Sequence, residues 1–108
     1  MDLAKKSCVP CEGGTAPLTK EEAEKLNQQI KGWHVSADGK HISKEFTFEN
    51  FLDAMAFGNK ITAIAEAEGH HPDLSIGWGR VGVELSTHAI KGLSENDFIL
   101  AAKIDAIV

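Results

Sequence analysis

Cysteine is scarce in this sequence: Cys8 and Cys11, in the stretch CVPC, are the only two. A structural zinc site normally takes four ligands, and no second CxxC motif is present to complete one. A thioredoxin-like CxxC motif would follow a strand and begin a helix, whereas this pair lies in an N-terminal segment with proline and glycine close by. We interpret the pair as two reduced thiols in a flexible or loosely docked tail, residues 1–17.

Long apolar runs and an excess of basic residues are also missing. No stretch approaches the roughly 20 apolar residues that cross a bilayer, and the N-terminus lacks the apolar region of a secretory signal. Eleven basic residues against sixteen acidic ones give a formal net charge of -5, which argues against a general nucleic-acid-binding surface. We therefore expect a cytoplasmic protein that binds neither nucleic acid nor membrane.

Residues 18–108 have the length and composition of one domain with a single modest core. Three segments predict helices. The first begins with Thr19 and Glu22 at capping-box spacing, the second ends at Gly69 as its C-cap, and the third begins at Ser94. The second should be the longest and lie at the centre of the core, because its apolar residues have mostly helical spacing: Phe51, Leu52, Met55, Ile61, Ile64 and Ala65.

Two hairpins separate these helices. Asp38-Gly39 is a strong turn signal in the first. In the second, Gly79-Arg80 suits a two-residue loop that pairs Trp78 with Val81, and Trp78 then belongs to the hairpin core. The predicted element order is αββαββα. This order indicates an α+β fold in which helices cover one face of a four-stranded antiparallel sheet.

Three of the five histidines flank the second hairpin. In the predicted register His71 lies opposite His88, and His70 is its neighbour just past the helix. Glu66 lies four residues before His70, in the last helical turn, where its carboxylate can turn toward that imidazole. The sequence therefore predicts that three imidazoles and a carboxylate converge at the open end of one hairpin, at the rim of the apolar core.

Such a cluster is open to four interpretations: unrelated surface or core histidines, a strand register shifted by a bulge, a metal site, or an acid–base site. A metal site would need Glu66 or Asp73 as a further ligand, and two adjacent histidines chelate a metal awkwardly. Histidine has an unperturbed pKa of about 6.5 and so gives or takes a proton near neutrality. Because no nucleophile motif, phosphate loop or dinucleotide fingerprint is present, we favour a reaction made of proton transfers, such as elimination of water.

The stretch GHHPDLSIGWGRVGVELSTHAIKGLSENDFILAAKID strongly resembles the pterin-4a-carbinolamine dehydratase family. The shared signature is HHP, a hairpin, STH, GLSxxD and an apolar helix, and the LTKEEAEKL, FTFENF and CVPCEGG segments look like those of bacterial members. The resemblance covers essentially the whole chain. It implies an enzyme, a hydro-lyase that dehydrates 4a-hydroxytetrahydrobiopterin to quinonoid dihydropterin in tetrahydrobiopterin recycling. It also implies that no metal and no organic cofactor are needed.

The same resemblance assigns roles to six residues: His70, His88 and Glu66 in catalysis, and His71, Pro72 and Asp97 in binding the pterin. Asp97 has an equally good interpretation as a helix-capping side chain, because it lies three residues after Ser94 in the first turn of the last helix. One departure from the family is Leu74, which stands where some animal members carry an aromatic residue.

The resemblance further implies a homodimer or homotetramer. An open four-stranded sheet has two edges, which proteins usually pair or cover, so at least a symmetric dimer is expected. Two other functions are alternatives to catalysis on a small-molecule pterin. Some animal members of the family serve as dimerisation cofactors for a homeodomain transcription factor, so a protein-interaction role on the same fold is one. A histidine-rich metal-binding protein is the other.

Overall fold

The computed structural model describes residues 3–9 and 16–108. Cys11, half of the CVPC pair, lies outside the described residues. The helices and strands follow in the predicted order αββαββα: α1 Lys20–Asn27, β1 His34–Val35, β2 Ile42–Thr47, α2 Phe51–Glu68, β3 Asp73–Gly77, β4 Arg80–Leu85 and α3 Glu95–Ala106. Two short 3-10 turns accompany them, Leu3–Lys5 before α1 and His88–Ile90 after β4.

The four strands form one antiparallel sheet in the order β1-β2-β4-β3, as predicted. Alternate residues of the two central strands are buried beneath the helices, namely Ile42, Phe46, Val81, Val83 and Leu85. Glu45 and Glu84, on the opposite face, are exposed. The α+β architecture with helices on one face of the sheet is therefore confirmed. No helix among the described residues is long and apolar enough to cross a membrane.

The helix ends are set by the local signals that the sequence carries. Thr19 accepts the backbone N–H of Glu22 through its hydroxyl, and the Glu22 carboxylate accepts the N–H of Thr19, which completes the predicted capping box of α1. α2 ends at Gly69, whose φ of 66° lies in the left-handed region that glycine adopts without strain. With 18 residues, α2 is the longest helix of the described part of the chain, as predicted.

α2 does not bury the face that its large apolar residues indicate. Phe51, Leu52 and Met55 are 49%, 77% and 36% exposed. The buried residues of the helix are mostly small: Ala54, Phe57, Gly58, Ile61 and Ala65. A Cβ atom on Gly58 would lie 2.8 Å from the side chain of Ile76 in β3, so this small face lets the helix approach the sheet closely. Helical spacing predicted the helix correctly, and the prediction of its buried face was wrong for the first turns.

The second hairpin turns one residue earlier than predicted. Its loop is Trp78-Gly79, and Gly77 pairs with Arg80. Arg80 joins β4 because it also pairs with Thr47 of β2, so the neighbouring strand extends β4 by one residue. The predicted place of Trp78 in the hairpin core is wrong, since the indole is 71% exposed at the loop. Because the shift moves every pairing by two positions, the residues that remain in the two strands stay on their predicted faces of the sheet.

Asp105 fastens the end of α3 to the sheet. Its carboxylate accepts the indole N–H of Trp33 at 3.0 Å and the ammonium of Lys44 at 2.9 Å. The same ammonium donates to the Lys31 carbonyl at 2.8 Å and lies 4.8 Å from the ring centre of Phe46. One carboxylate thus satisfies two donors from separate parts of the chain.

Replacing Asp105 by alanine should lower the free energy of unfolding by about 2 kcal/mol, because two partly buried donors lose their acceptor. Urea denaturation would measure the loss. Glu45→Ala is the matched control, an exposed carboxylate on the open face of the sheet, and should change stability by no more than about 0.5 kcal/mol. Equal losses in the two variants would contradict the assigned role of Asp105.

Residues 3–9, called the strap below, run along α3. Leu3 is buried, with 3% of its surface exposed. The ammonium of Lys103 donates to the Ala4 carbonyl at 2.9 Å, and Lys6 forms an ion pair with Glu95 at 3.0 Å. This part of the segment predicted as a tail is therefore in contact with the folded domain.

Candidate active site

The three histidines around the second hairpin line one cavity of about 490 Å³. His70 follows the C-cap of α2, His71 precedes β3, and His88 begins the 3-10 turn after β4. Cavities of about 300–1,000 Å³ are typical of small-molecule sites. The structure thus brings the three imidazoles together as predicted, while their chemical roles stay predictions.

The route by which they meet differs from the predicted register. Extending the observed strand pairing places Ser86, and not His88, opposite His71. β4 ends before His88, and Thr87 forms an isolated bridge with Gly92. This bridge closes a short loop that carries His88 back to the cavity. The predicted pairing of His71 with His88 is wrong because the hairpin loop lies one residue earlier.

His70 pairs with Asp97, which is not among the described residues that line the cavity. Its Nε2 lies 2.6 Å from Asp97 Oδ1, and the side chains are 12% and 0% exposed. His70 therefore lies deeper than the rim position expected from the sequence. Because the carboxylate holds Nε2, it orients the ring and leaves Nδ1 as the nitrogen available for proton exchange.

The Asp97 carboxylate also organises the residues around it. Its second oxygen accepts the Thr87 hydroxyl at 2.8 Å and the Ser94 backbone N–H at 3.0 Å, so the expected capping of α3 is found. A fully buried carboxylate behind His70 does not reach a molecule in the cavity. The geometry therefore favours a positioning role for Asp97 over the direct contact with substrate that the sequence analysis expected.

Glu66 contacts a different histidine from the one predicted. Its Oε2 pairs with Nε2 of His71, and these side chains are 69% and 62% exposed. The predicted approach of Glu66 to His70 is wrong, because His70 turns inward to Asp97. An ion pair this exposed contributes little to stability. Glu66 therefore contacts the His71 ring and is not itself among the described residues that line the cavity.

Much of the lining was missed by the sequence analysis. The residues that join the three histidines are Cys8, Val9, Glu68, Gly69, Ser86, Thr87, Ala89 and Asn96. Thr87 is part of the STH motif and could have been found from it. No sequence pattern near the strap predicted its contact with the site, because that contact joins segments far apart in the chain. Pro72 is half-buried and is absent from the described lining residues.

The Cys8 thiol is chemically quiet. Burial, together with the neighbouring Glu68 carboxylate, raises the pKa of this thiol to about 12. The thiol is therefore protonated at neutral pH and is not a nucleophile, since the reactive form of cysteine is the thiolate. Within residues 3–9 and 16–108, no group of three or more histidine, cysteine, aspartate or glutamate side chains is arranged to hold a metal ion.

Comparison with known proteins gives one consistent family. The family model described as pterin 4 alpha carbinolamine dehydratase matches residues 16–107. Two curated relatives, each named "Putative pterin-4-alpha-carbinolamine dehydratase", are 50% identical to this chain. The one from Halorhodospira halophila aligns over 99% of this chain and 98% of its own, and the one from Methylococcus capsulatus over 97% and 92%.

Solved structures share the fold. The transcriptional coactivator/pterin dehydratase from Brucella melitensis aligns with a TM-score of 0.79 and 32% identity, over 84% of this chain and 97% of that one. A pterin dehydratase-like protein identified as a RuBisCO assembly factor in the alpha-carboxysome aligns with a TM-score of 0.61 and 26% identity, over 70% of this chain and 88% of that one. Proteins described in different functional terms thus use this architecture.

Proposed function

Since the chain belongs to the pterin 4 alpha carbinolamine dehydratase family, we propose that it is a hydro-lyase that dehydrates 4a-hydroxytetrahydrobiopterin to quinonoid dihydropterin. The observation that carries the proposal is the convergence of three imidazoles, from separate segments, on one cavity of about 490 Å³. A role in tetrahydrobiopterin recycling and a cytoplasmic location belong to the same proposal.

The proposed reaction consists of two proton transfers. The hydroxyl on C4a takes a proton from an imidazolium and leaves as water, while an imidazole removes the proton from N5. The electron pair of the N5–H bond then forms the C4a=N5 double bond. His70 and His88 line the same cavity from different segments, so one can give the proton while the other takes one. Each positioned transfer typically contributes about 10²–10⁴-fold, and the proposal requires no metal and no organic cofactor.

The buried carboxylate of Asp97 supports this role for His70. It lies 2.6 Å from Nε2, so it orients the ring and presents one fixed nitrogen to the substrate. His88 is exposed and begins a 3-10 turn. The two imidazoles thus have different environments. This difference suits a division into acid and base.

We assign His71 and its partner Glu66 to the binding of the pterin. Pro72 restricts the backbone between this histidine and β3, which keeps the imidazole at the mouth of the cavity. His71→Ala should raise KM about 5-fold to 10-fold with kcat nearly unchanged, because it removes binding that the ground and transition states share. Glu66→Gln should raise KM less, because the imidazole remains. A fall in kcat with unchanged KM in His71→Ala would refute the assignment.

A direct assay tests the reaction itself. The 4a-hydroxytetrahydropterin is generated in the cuvette, and its ultraviolet decay is followed with the protein, without it, and with an unrelated protein at equal concentration. Decay that accelerates in proportion to the concentration of this protein supports the proposal. A decay rate equal to the background at micromolar protein would refute it.

We also propose that the chain forms a homodimer or homotetramer. β3 is an edge strand, and Leu74 and Trp78 at this edge are 37% and 71% exposed. Leu52 on α2 is 77% exposed. Exposed apolar side chains and an open sheet edge are features that association covers. Sedimentation velocity at micromolar concentration should show a dimer or a larger assembly, and a monomer would contradict this.

The same exposed apolar side chains favour a second candidate, a protein-interaction role. The assembly-factor structure described above belongs to a protein of this fold with such a role. A partner that still co-purifies after both His70 and His88 are replaced would favour this function over catalysis. Stoichiometric zinc in protein purified without a histidine tag, lost on replacing His71 and His88, would instead support the metal-binding alternative.

A further inference from the structure

The strap is part of the cavity wall. Cys8 and Val9 line the same cavity as the three histidines, although they stand more than sixty residues away from them in the sequence. They also precede residue 16, where the match to the family model begins. One wall of this site is therefore formed by the N-terminal segment and lies outside residues 16–107, which match the family model.

A buried amide clamps the strap at this wall. Asn96, in the first turn of α3, is only 4% exposed. Its Oδ1 accepts the backbone N–H of Val9 at 3.0 Å, and its Nδ2 donates to the Val9 carbonyl. One side chain thus satisfies both backbone groups of Val9, as a neighbouring strand would. The Cys8 thiol in turn donates to the Asn96 carbonyl at 3.6 Å.

Glu68 forms a second clamp and gives the wall its charge. It accepts the Cys8 backbone N–H at 2.7 Å and forms an ion pair with Lys103 at 3.7 Å, while its side chain is 16% exposed. The described residues that line the cavity include neither lysine nor arginine. An anionic group placed against this wall would meet the Glu68 carboxylate, whose partner Lys103 is not among the described residues that line the cavity.

We propose that Cys8 and Val9 contact the substrate and that, with Glu68 beside them, they select pterins with an uncharged side chain over pterins that carry a phosphate. This inference rests on the proposed dehydratase function. The pterin side chain leaves the ring at C6, next to N5, so it lies close to the reacting atoms and hence to a wall of the same cavity. A neutral thiol and a valine suit a hydroxyalkyl group, and the carboxylate repels a phosphate.

Steady-state kinetics on two substrates test the selection. The 4a-hydroxy derivative of tetrahydrobiopterin is compared with that of a tetrahydropterin whose hydroxyalkyl side chain carries a phosphate ester. The wild type should have a kcat/KM at least about 50-fold lower for the phosphate ester. Glu68→Gln retains an acceptor for the Cys8 N–H. It should reduce the ratio of kcat/KM for the neutral substrate to kcat/KM for the phosphate ester about fivefold or more. Equal kcat/KM for the two substrates in the wild type would overturn the proposal.

Variants of the clamp test the wall itself. Asn96→Ala releases both backbone groups of Val9 and should raise KM for the neutral substrate about 10-fold while kcat stays within about twofold. Val9→Gly alters an exposed side chain, so it should fold even if Asn96→Ala does not, and should raise KM about threefold. Thr19→Ala is the matched control, because it destabilises α1 outside the cavity by about 1 kcal/mol and should leave KM unchanged. Wild-type KM in folded Val9→Gly would overturn the contact.

Thiol labelling measures the contact without turnover. In a Cys11→Ser background, alkylation of Cys8 by iodoacetamide is followed at pH 9 by mass spectrometry. Saturating 7,8-dihydrobiopterin should slow the alkylation about fivefold or more, because the bound pterin covers the thiol. An unchanged rate at saturating pterin would overturn the proposal.

Different experimental results would contradict this inference and the proposed function. If the wild type does not accelerate dehydration but dihydrobiopterin protects Cys8, the strap contacts a pterin and the proposed reaction fails. If the wild type is active while Cys8 is unprotected and KM is unchanged in Val9→Gly, the strap inference alone fails.

Discussion

Replacing both His70 and His88 by alanine is expected to remove nearly all turnover, whereas each single replacement should leave a measurable residual rate. With either His70 or His88 left at the cavity, one of the two proton transfers retains its catalyst, and the pocket still binds the pterin. Loss of both removes positioned proton transfer, which contributes about 10²–10⁴-fold or more. Single-turnover decay of the 4a-hydroxytetrahydropterin under saturating protein separates these rates.

Folding has to be controlled for in this experiment. His70→Ala leaves the fully buried Asp97 carboxylate without its imidazole partner, so this variant should lose stability. His70→Gln is the companion variant, because its amide N–H can still donate to Asp97 but does not titrate near neutrality. Both double variants should lose activity, and the glutamine version should keep more of its stability. A folded double variant that turns over substrate at close to the wild-type rate would show that the site is wrongly assigned.

The parts of the fold that were predicted correctly depend on local chemistry. The capping box of Thr19 and Glu22 and the left-handed Gly69 involve residues close together in the sequence. The strand pattern likewise follows from alternation within each hairpin. Because each of these signals is complete within a few residues, the element order and the antiparallel sheet could be predicted before any tertiary contact was known.

The errors arose where a distant neighbour decides the outcome. The hairpin loop moved because β2 pairs with Arg80. α2 buried its small face because β3 approaches at Gly58. In the site, sequence spacing placed Glu66 near His70. In the structure His70 instead pairs with Asp97, which follows the hairpin in the sequence. The contribution of the strap could not be predicted from sequence spacing for the same reason, because it depends on the Asn96 amide, 87 positions away from Val9.

The buried pair of His70 and Asp97 gives the second large expected effect. Asp97→Ala should both slow the reaction and destabilise the protein by about 3 kcal/mol, because three donors lose one acceptor: the His70 ring, the Thr87 hydroxyl and the Ser94 N–H. Asp97→Asn separates the two effects. Its carbonyl oxygen can still accept from Thr87 or Ser94, so most of the stability should remain.

In Asp97→Asn the amide N–H₂ is expected to face His70 and to donate to Nε2. The ring proton must then lie on Nδ1, so the nitrogen left for catalysis can no longer accept a proton. We expect kcat to fall about 100-fold with KM changed by less than about threefold, because the effect acts on proton transfer and not on binding. Asp105→Ala is the matched control, since it weakens the other end of the same helix by at least as large a free energy and should leave kcat unchanged. Wild-type kcat in a folded Asp97→Asn variant would show that Asp97 serves only to cap α3 and that His70 works without it.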